Sequence, residues 1–283
     1  MGKTKKTFKQ TYEEKYVRFK PLLGELVKKN IKLQYRNSVL GVLWTFLQPL
    51  MTMAVLSFVF GNLFGRDSSE VVNYSVYLLS ARLLYDFFTQ STKKGMRSIR
   101  SHSSIIKKVY VPKFIYPIST VLSCFVTFTI SLSVLVVVIA FFNITNNNPI
   151  DITGYIFMSV IPIAILFVLC MGVSLILSTL NVFFKDVENL YDIFCLILFY
   201  MTPIVYTIDK LGFENGSWEE FLIQLNPLFG IIDMFRACIL FGPDFWANFE
   251  LAHVIYCSAF AVVCLIVGII MFYKNQDKFI LHI

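Results

Sequence analysis

Arg82 and Asp86 stand four residues apart inside an apolar stretch, so one helical turn would set a guanidinium beside a carboxylate where neither is well hydrated. That spacing has two uses. It makes a structural pair that lowers the desolvation cost of both charges, or it forms a polar step on a hydrated route for a polar substrate. The familiar catalytic sets do not assemble around it. His102, His253 and His282 are scattered, with no paired His or Cys at ligand spacing, so no metal site is expected. No Ser/His/Asp set or catalytic carboxylate pair stands out, which disfavours an enzyme. Gly2-Lys3-Thr4 imitates the end of a nucleotide-phosphate loop but lacks the upstream glycine and strand, so the chain itself is expected to bind no ATP or other cofactor. Cys124, Cys170, Cys195, Cys238, Cys257 and Cys264 sit in or beside apolar segments and read as isolated small hydrophobes.

The elements that must position these residues follow from composition. With 57% hydrophobic and 15% charged residues over 283, the chain is too apolar for a soluble domain. A bilayer crossing needs roughly 20 apolar residues. Six stretches qualify, near 39–64, 74–91, 114–142, 155–180, 190–206 and 251–273. The expected fold is therefore an all-α integral membrane protein of six transmembrane helices, with a membrane domain over 39–273. The first span is too long and too far from the start for a cleavable signal, so the N-terminus is read as retained. Lys and Arg accumulate on the cytoplasmic side. Residues 1–38, 92–113, 181–189 and 274–283 hold 21 Lys+Arg, while the alternate loops hold three, Arg66, Lys210 and Arg236. That split puts both termini inside. Each cationic cluster abuts an apolar span and faces anionic lipid, so no nucleic-acid partner is needed to explain the basic charge.

Three connecting regions carry further signals. In 21–37, Pro21 suits a helix start, and Leu23, Val27, Ile31 and Tyr35 recur at i+4 with Lys28, Lys29, Lys32 and Arg36 largely elsewhere. This is the pattern of an amphipathic helix lying in the headgroup layer within a cytoplasmic N-terminus of 1–38. The segment 92–113 contains seven cations and no acid, interleaved with Ile99, Ile105, Ile106, Val109 and Tyr110. It reads either as a lipid-facing loop or as a segment that docks on a soluble partner through its apolar side chains. In 209–250, Asn226-Pro227 leads into an apolar run to Phe241, too short to span, so a re-entrant or interfacial helical hairpin is expected, with Asp233 and Arg236 able to pair at i,i+3. Pro49, Pro162 and Pro203 interrupt spans. At 16% aromatic residues, some rings exceed what two interfacial belts need, and sugar rings stack on aromatic faces.

The run from Leu33 to Leu50, LQYRNSVLGVLWTFLQPL, resembles the entry to the first span in permeases of polysaccharide-export ABC transporters, with their Tyr-x-x-Ser-x-Leu-Gly-x-x-Trp pattern. Further similarities follow in order: Ile105 to Pro112 (IIKKVYVP), Asn181 to Asp186 (NVFFKD), Phe199 to Tyr206 (FYMTPIVY), and Asn226-Pro227-Leu228 with Arg236. They run over nearly the whole chain. The second span departs from the family's usual pattern at Ala81-Arg82 and Tyr85-Asp86, and Lys185 stands where relatives often have Arg.

The resemblance implies an exporter of O-antigen, capsule or teichoic acid precursors in the bacterial plasma membrane. Two copies of the permease would pair with two ATP-binding cassette subunits, which carry the ATP and Mg. Contact with them would fall to Ile99, Ile105, Ile106, Lys107, Lys108, Tyr110 and Pro112, and to a second turn at Lys185 and Asp186. A lipid-linked glycan would arrive at the interfacial helix, at Lys28, Lys29, Lys32, Tyr35 and Arg36. Its route would pass Trp44, Arg82, Tyr85, Asp86, Tyr200 and Tyr206. The competing readings are an ABC permease for a drug or lipid, and a membrane enzyme acting on lipid-linked sugars.

Overall fold

The computed structural model describes residues 20–36, 38–60, 73–108, 111–145, 150, 154–206, 218, 223–240 and 251–282. Among these the regular structure is helical. Helix α1 (Lys20–Tyr35) turns Leu26 inward and half-buries Leu22, Leu23, Val27, Ile31 and Tyr35, while Lys28, Lys29, Lys32 and Arg36 stay exposed. The chain then reverses at Gly41, whose φ of +49° suits glycine, and Ser38 Oγ accepts the Gly41 N–H at 3.0 Å. The Ser-x-Leu-Gly pattern thus encodes a turn.

Helix α2 (Leu43–Phe60) contains Pro49, which has no N–H for the Thr45 carbonyl, and Ser131 Oγ donates to that carbonyl at 3.4 Å instead. Helix α3 (Tyr74–Ser101) is capped by Asn73, whose side chain accepts the Val76 N–H at 3.3 Å. A short helix α4 (Ser103–Ile106) leads to α5 (Ile115–Ile144), and a 3-10 turn (Gly154–Ser159) leads into α6 (Val160–Phe183). After α7 (Val187–Met201) come α8 (Pro227–Leu240), α9 (Leu251–Asn275) and α10 (Phe279–His282).

Four of these are long and apolar enough to cross a bilayer: α2, α5, α6 with its 3-10 turn, and α9 with its extension to Lys278. Two of the six expected spans differ in kind. Helix α3 has 28 residues, about 42 Å at ~1.5 Å per residue, but its cations and hydroxyls lower its hydropathy. It is the central helix, packed against α2, α5, α6, α7 and α8, so its solvent is protein rather than lipid. It also runs on through residues 92–101, which the sequence suggested as loop, because Thr92, Gly95, Met96, Ser98 and Ile99 recur at helical spacing and bury. Helix α7, at 15 residues, is too short to span as a helix.

The segment expected to form the hairpin contains α8, which is largely apolar and buries twelve of its 14 residues, Arg236 among them. Of the expected hairpin, residues 209–217, 219–222 and 241–250 lie outside the described residues. Helices α6 and α9 meet at glycines: a Cβ on Gly172 would fall 2.5 Å from Leu265 N, and one on Gly268 2.7 Å from Gly172 O.

Candidate functional site

Helix α3 organises three polar regions along its length, and the expected site residues distribute among them. At its cation-rich end it is joined to the turn between α6 and α7. Arg97 Nε donates to Glu188 Oε2 at 3.0 Å, and Glu188 Oε1 accepts from Asn181 Nδ2 at 3.0 Å. Asn181, fully buried, also donates to Met96 O at 3.2 Å. Lys93 pairs with Asp192 at 2.7 Å, Tyr191 OH donates to Thr92 Oγ1 at 2.7 Å, and Arg100 reaches Val182 O at 3.4 Å. The turn's own Lys185 and Asp186 are exposed. Two segments 80 or more residues apart in sequence, 92–100 and 181–192, are thereby fastened together.

The apolar residues expected to face a partner divide. Ile99 and Ile106 lie inside a cluster with Leu26, Ile115, Tyr116, Val182 and Phe279, so they bind this segment to α1, α5, α6 and α10. Ile105 and Pro112 are half-buried, and Lys107 and Lys108 form the exposed part. Tyr110 lies outside the described residues. Beside them the His102 ring packs against Tyr116, centres 4.9 Å apart and tilted by 32°, with Nδ1 2.8 Å from Ser98 O, and burial lowers its pKa. Lys113 donates to Gln276 O and lies 5.8 Å from the Phe279 ring centre; burial lowers its pKa while Asp277 opposes the shift.

Midway along α3, Arg82 Nε and Asp86 Oδ2 are 3.0 Å apart, the pair that the i,i+4 spacing suggested. Each is about one quarter exposed. Arg82 lies 5.3 Å from the Phe199 ring and 5.9 Å from Tyr85, whose hydroxyl donates to Cys195 O. Asp86 lines a small, partly open cleft of about 80 Å³ between α1, α2, α3 and α5, which Tyr35 and Trp44 also line. Tyr35 OH and Thr45 Oγ1 share a 2.5 Å hydrogen bond across that cleft's wall. On the outer side of Tyr35, Lys28, Lys32 and Arg36 border a shallow open hollow. Lys28 is held at 3.0 Å by Glu25, and Lys29 points to solvent elsewhere on α1. Tyr200 is exposed on α7, and its carbonyl accepts from Tyr206 OH at 2.5 Å.

The third region, at the opposite end of α3, was not foreseen. After α7 the chain runs irregularly through Thr202–Tyr206, with Thr202 and Ile204 fully buried. Bare carbonyls there need donors. Arg236 supplies two, from Nη1 to Pro203 O at 2.9 Å and from Nη2 to Ile204 O at 3.1 Å. Tyr74 OH donates to Val205 O at 2.7 Å and Tyr77 OH to Tyr206 O at 3.1 Å, so all four successive carbonyls are satisfied. Arg236 also reaches Tyr77 O at 3.3 Å, with its guanidinium carbon 3.4 Å from the Tyr77 ring centre. The expected Asp233 to Arg236 pairing is replaced by these contacts, and Asp233 Oδ2 lies 3.9 Å from His253 Nδ1. Asn226 caps α8, accepting the Leu228 N–H at 3.0 Å and donating to Thr202 Oγ1 at 2.9 Å. A sequence signal existed: an arginine in a run of helical length that is apolar but for Asp233 needs a buried acceptor.

Comparison with known proteins identifies the family. The family model described as "ABC-2 type transporter" matches residues 21–240. The O-antigen export system permease protein RfbA of Klebsiella pneumoniae is similar in two forms. One is 30% identical over 260 residues and the other 29% over 258, each alignment covering 91% of this chain and 93% of the relative. The polysialic acid transport protein KpsM of Escherichia coli is 19% identical over 252 residues, covering 89% of this chain and 92% of that protein.

Proposed function

The chain belongs to the ABC-2 type transporter family, and from that premise we propose that it is the membrane permease subunit of an ATP-driven exporter of a lipid-linked cell-surface polysaccharide. The observation that carries the reading is the nearly end-to-end similarity to permeases named for O-antigen export, over 91% of this chain and 93% of theirs. The chain crosses the bacterial plasma membrane six times with both termini in the cytoplasm. Helix α3 is then a span shielded by protein, and α7 with its irregular extension to Tyr206 is another. Two copies assemble, and the large apolar side chains exposed on α2 and α7, among them Met51, Val55, Phe58, Ile193 and Ile197, support a second copy or lipid against those faces.

Two separate ATP-binding cassette subunits hold ATP and Mg. Their closure on ATP binding pushes Lys107, Lys108, Lys185 and Asp186. Because Arg97, Asn181 and Glu188 fasten the two contact segments together, the push reaches α3 along one joined unit. The glycan, arriving at α1, then meets Trp44, Tyr85, Arg82, Asp86, Tyr200 and Tyr206.

Deleting the permease in its native cell tests the export reading. Surface polysaccharide is expected to disappear and lipid-linked glycan to accumulate inside; an unchanged surface overturns it. For coupling, Lys107→Glu with Lys108→Glu, co-purified with the cassette subunits, is expected to weaken assembly or abolish glycan-stimulated ATP hydrolysis. Wild-type behaviour in both would remove these lysines from the contact.

A further inference from the structure

The exposed pair Lys107 and Lys108 lies on a segment strung between two helices, α3 before it and α5 after it. On the α3 side, Arg97 ties the segment to Glu188, just beyond the second contact turn at Lys185 and Asp186. A segment held on one side alone pivots about that side when pushed. The α5 side is held too, by the turn that follows α9.

After α9 the chain passes through a 3-10 turn (Gln276–Lys278) into α10. Of the described side chains from Gln276 to Ile280, Phe279 alone is buried, and it is wholly so. Its ring meets that of Phe272 edge-on, with centres 5.1 Å apart; the two residues are seven apart in sequence and so share one helical face. It also meets Phe183, the last residue of α6, with centres 6.0 Å apart. Lys113 Nζ lies 5.8 Å from the centre of the same ring and donates to Gln276 O. Phe279 therefore bridges Lys113, where the first contact segment enters α5, and Phe183, where the second contact turn leaves α6. Ile106 and Val111 of the first segment pack into the same cluster. The two ties differ in kind. Arg97 with Glu188 is a partly exposed ion pair that salt screens, whereas the Phe279 tie is mainly a buried apolar contact that salt does not.

Resting on the export reading above, we infer that Phe279 is a positioning residue of the coupling machinery. Its ring clamps the α5 side of the first contact segment to the second contact turn, so Lys107, Lys108, Lys185 and Asp186 move as one body when the cassette subunits close. Phe279 touches neither ATP nor glycan and acts through Lys113 and Phe183.

The test reads surface polysaccharide in the native cell per assembled permease and cassette complex, beside ATP hydrolysis by the same complex in nanodiscs. Phe279→Ala is expected to lower export about fivefold more than it lowers ATP hydrolysis. Phe279→Leu, which refills most of the space, is expected to recover most of that loss. Phe235→Ala controls for packing alone, since it removes a ring that is equally buried on α8. It is expected to lower the amount of complex, with export and ATP hydrolysis per complex staying in step. Because the two ties hold one segment, Phe279→Ala combined with Glu188→Gln is expected to lower export about fivefold beyond the product of the single losses. Lys113→Met leaves the ring buried and removes its link to the first segment, for an expected loss of about threefold in export per ATP hydrolysed. That variant decides alone if Phe279→Ala does not assemble. Export and ATP hydrolysis falling in step for Phe279→Ala, a double variant no worse than the product, or wild-type export per ATP in Lys113→Met overturns the clamp. Failure of the export reading is seen separately, as unchanged surface polysaccharide on deletion, so the two failures are distinguishable.

Discussion

The two ends of α3 meet one requirement, polar groups beside a buried helix, with different materials. At the cation-rich end, Arg97 and Lys93 pair with Glu188 and Asp192, and the side chains in these pairs are one quarter to one half exposed. Such pairs are individually weak and salt-sensitive, so the joint they make can shift. At the opposite end, Arg236 is 2% exposed and spends its hydrogen bonds on carbonyls of Tyr77, Pro203 and Ile204. Each of those acceptors becomes costly if abandoned in an interior without water. One end is suited to transmit movement, and the other to hold the irregular stretch after α7 against it.

The largest effect is expected at Arg236. Arg236→Met should destabilise by about 3 kcal/mol or more, because Pro203 and Ile204 carbonyls lose their donors together. Arg236→Lys should rescue little, since an ammonium lacks the planar fork that spans separate carbonyls. Arg97→Ala should cost no more than about 1 kcal/mol. Thermal unfolding in detergent, followed by size-exclusion fluorescence, measures all three. Equal losses at Arg236 and Arg97 would erase the contrast between the ends.

Tyr77→Phe comes next, because it removes the donor to Tyr206 O and keeps the ring against Arg236, for about 1 kcal/mol. Tyr74→Phe should cost a similar amount through Val205 O. At the other end, Glu188→Gln should lower stability by under about 1 kcal/mol yet reduce the coupling of ATP hydrolysis to transport. Exchanging the charges with Arg97→Glu and Glu188→Arg should restore that coupling only in part at low salt, because an arginine at 188 cannot accept from Asn181 Nδ2. A Glu188→Gln variant that transports normally per ATP hydrolysed would show that the joint is only structural.

The same contrast explains what could be read from sequence. Hydropathy marks α2, α5 and α9, which present long apolar faces outward, and α6, half of which is buried, because most of the side chains it buries are themselves apolar. It does not mark α3 as a long apolar helix, because α3 is surrounded by other helices and hides Gly95 against Ser174 of α6 and Thr92 against Tyr191 of α7. The cations at 93–100 suggested loop, although the buried residues between them keep helical spacing. Local pairs such as Arg82 with Asp86 were legible, being set by one turn of one helix. The carbonyl ladder of 203–206 and the cleft behind Tyr35 were not, since each is assembled from separate helices whose approach no local pattern records. Asp233 and Arg236 show the limit of the local rule: spacing permits a pair, and the bare carbonyls nearby win the arginine.

The smallest effect tests whether the movable end is also sensitive to pH. Burial lowers the His102 pKa most, the hydrogen bond with Ser98 O opposes that shift, and the nearby charge of Lys29 adds to it. A ring whose folded pKa lies below its unfolded value, about 6.5, is preferred neutral in the folded protein. Its contribution is therefore fully present above pH ~6.5 and declines as pH falls through that value, where the unfolded chain binds the extra proton. The wild type should lose more thermal stability between about pH 7.5 and 5.5 than His102→Gln, which cannot titrate. Both proteins keep Tyr116 beside position 102, so the difference between the two slopes isolates the imidazole. Parallel slopes would mean that His102 is as hydrated as a free side chain, and the packing of α4 against α5 would then be looser than the adjacent Tyr116 ring requires.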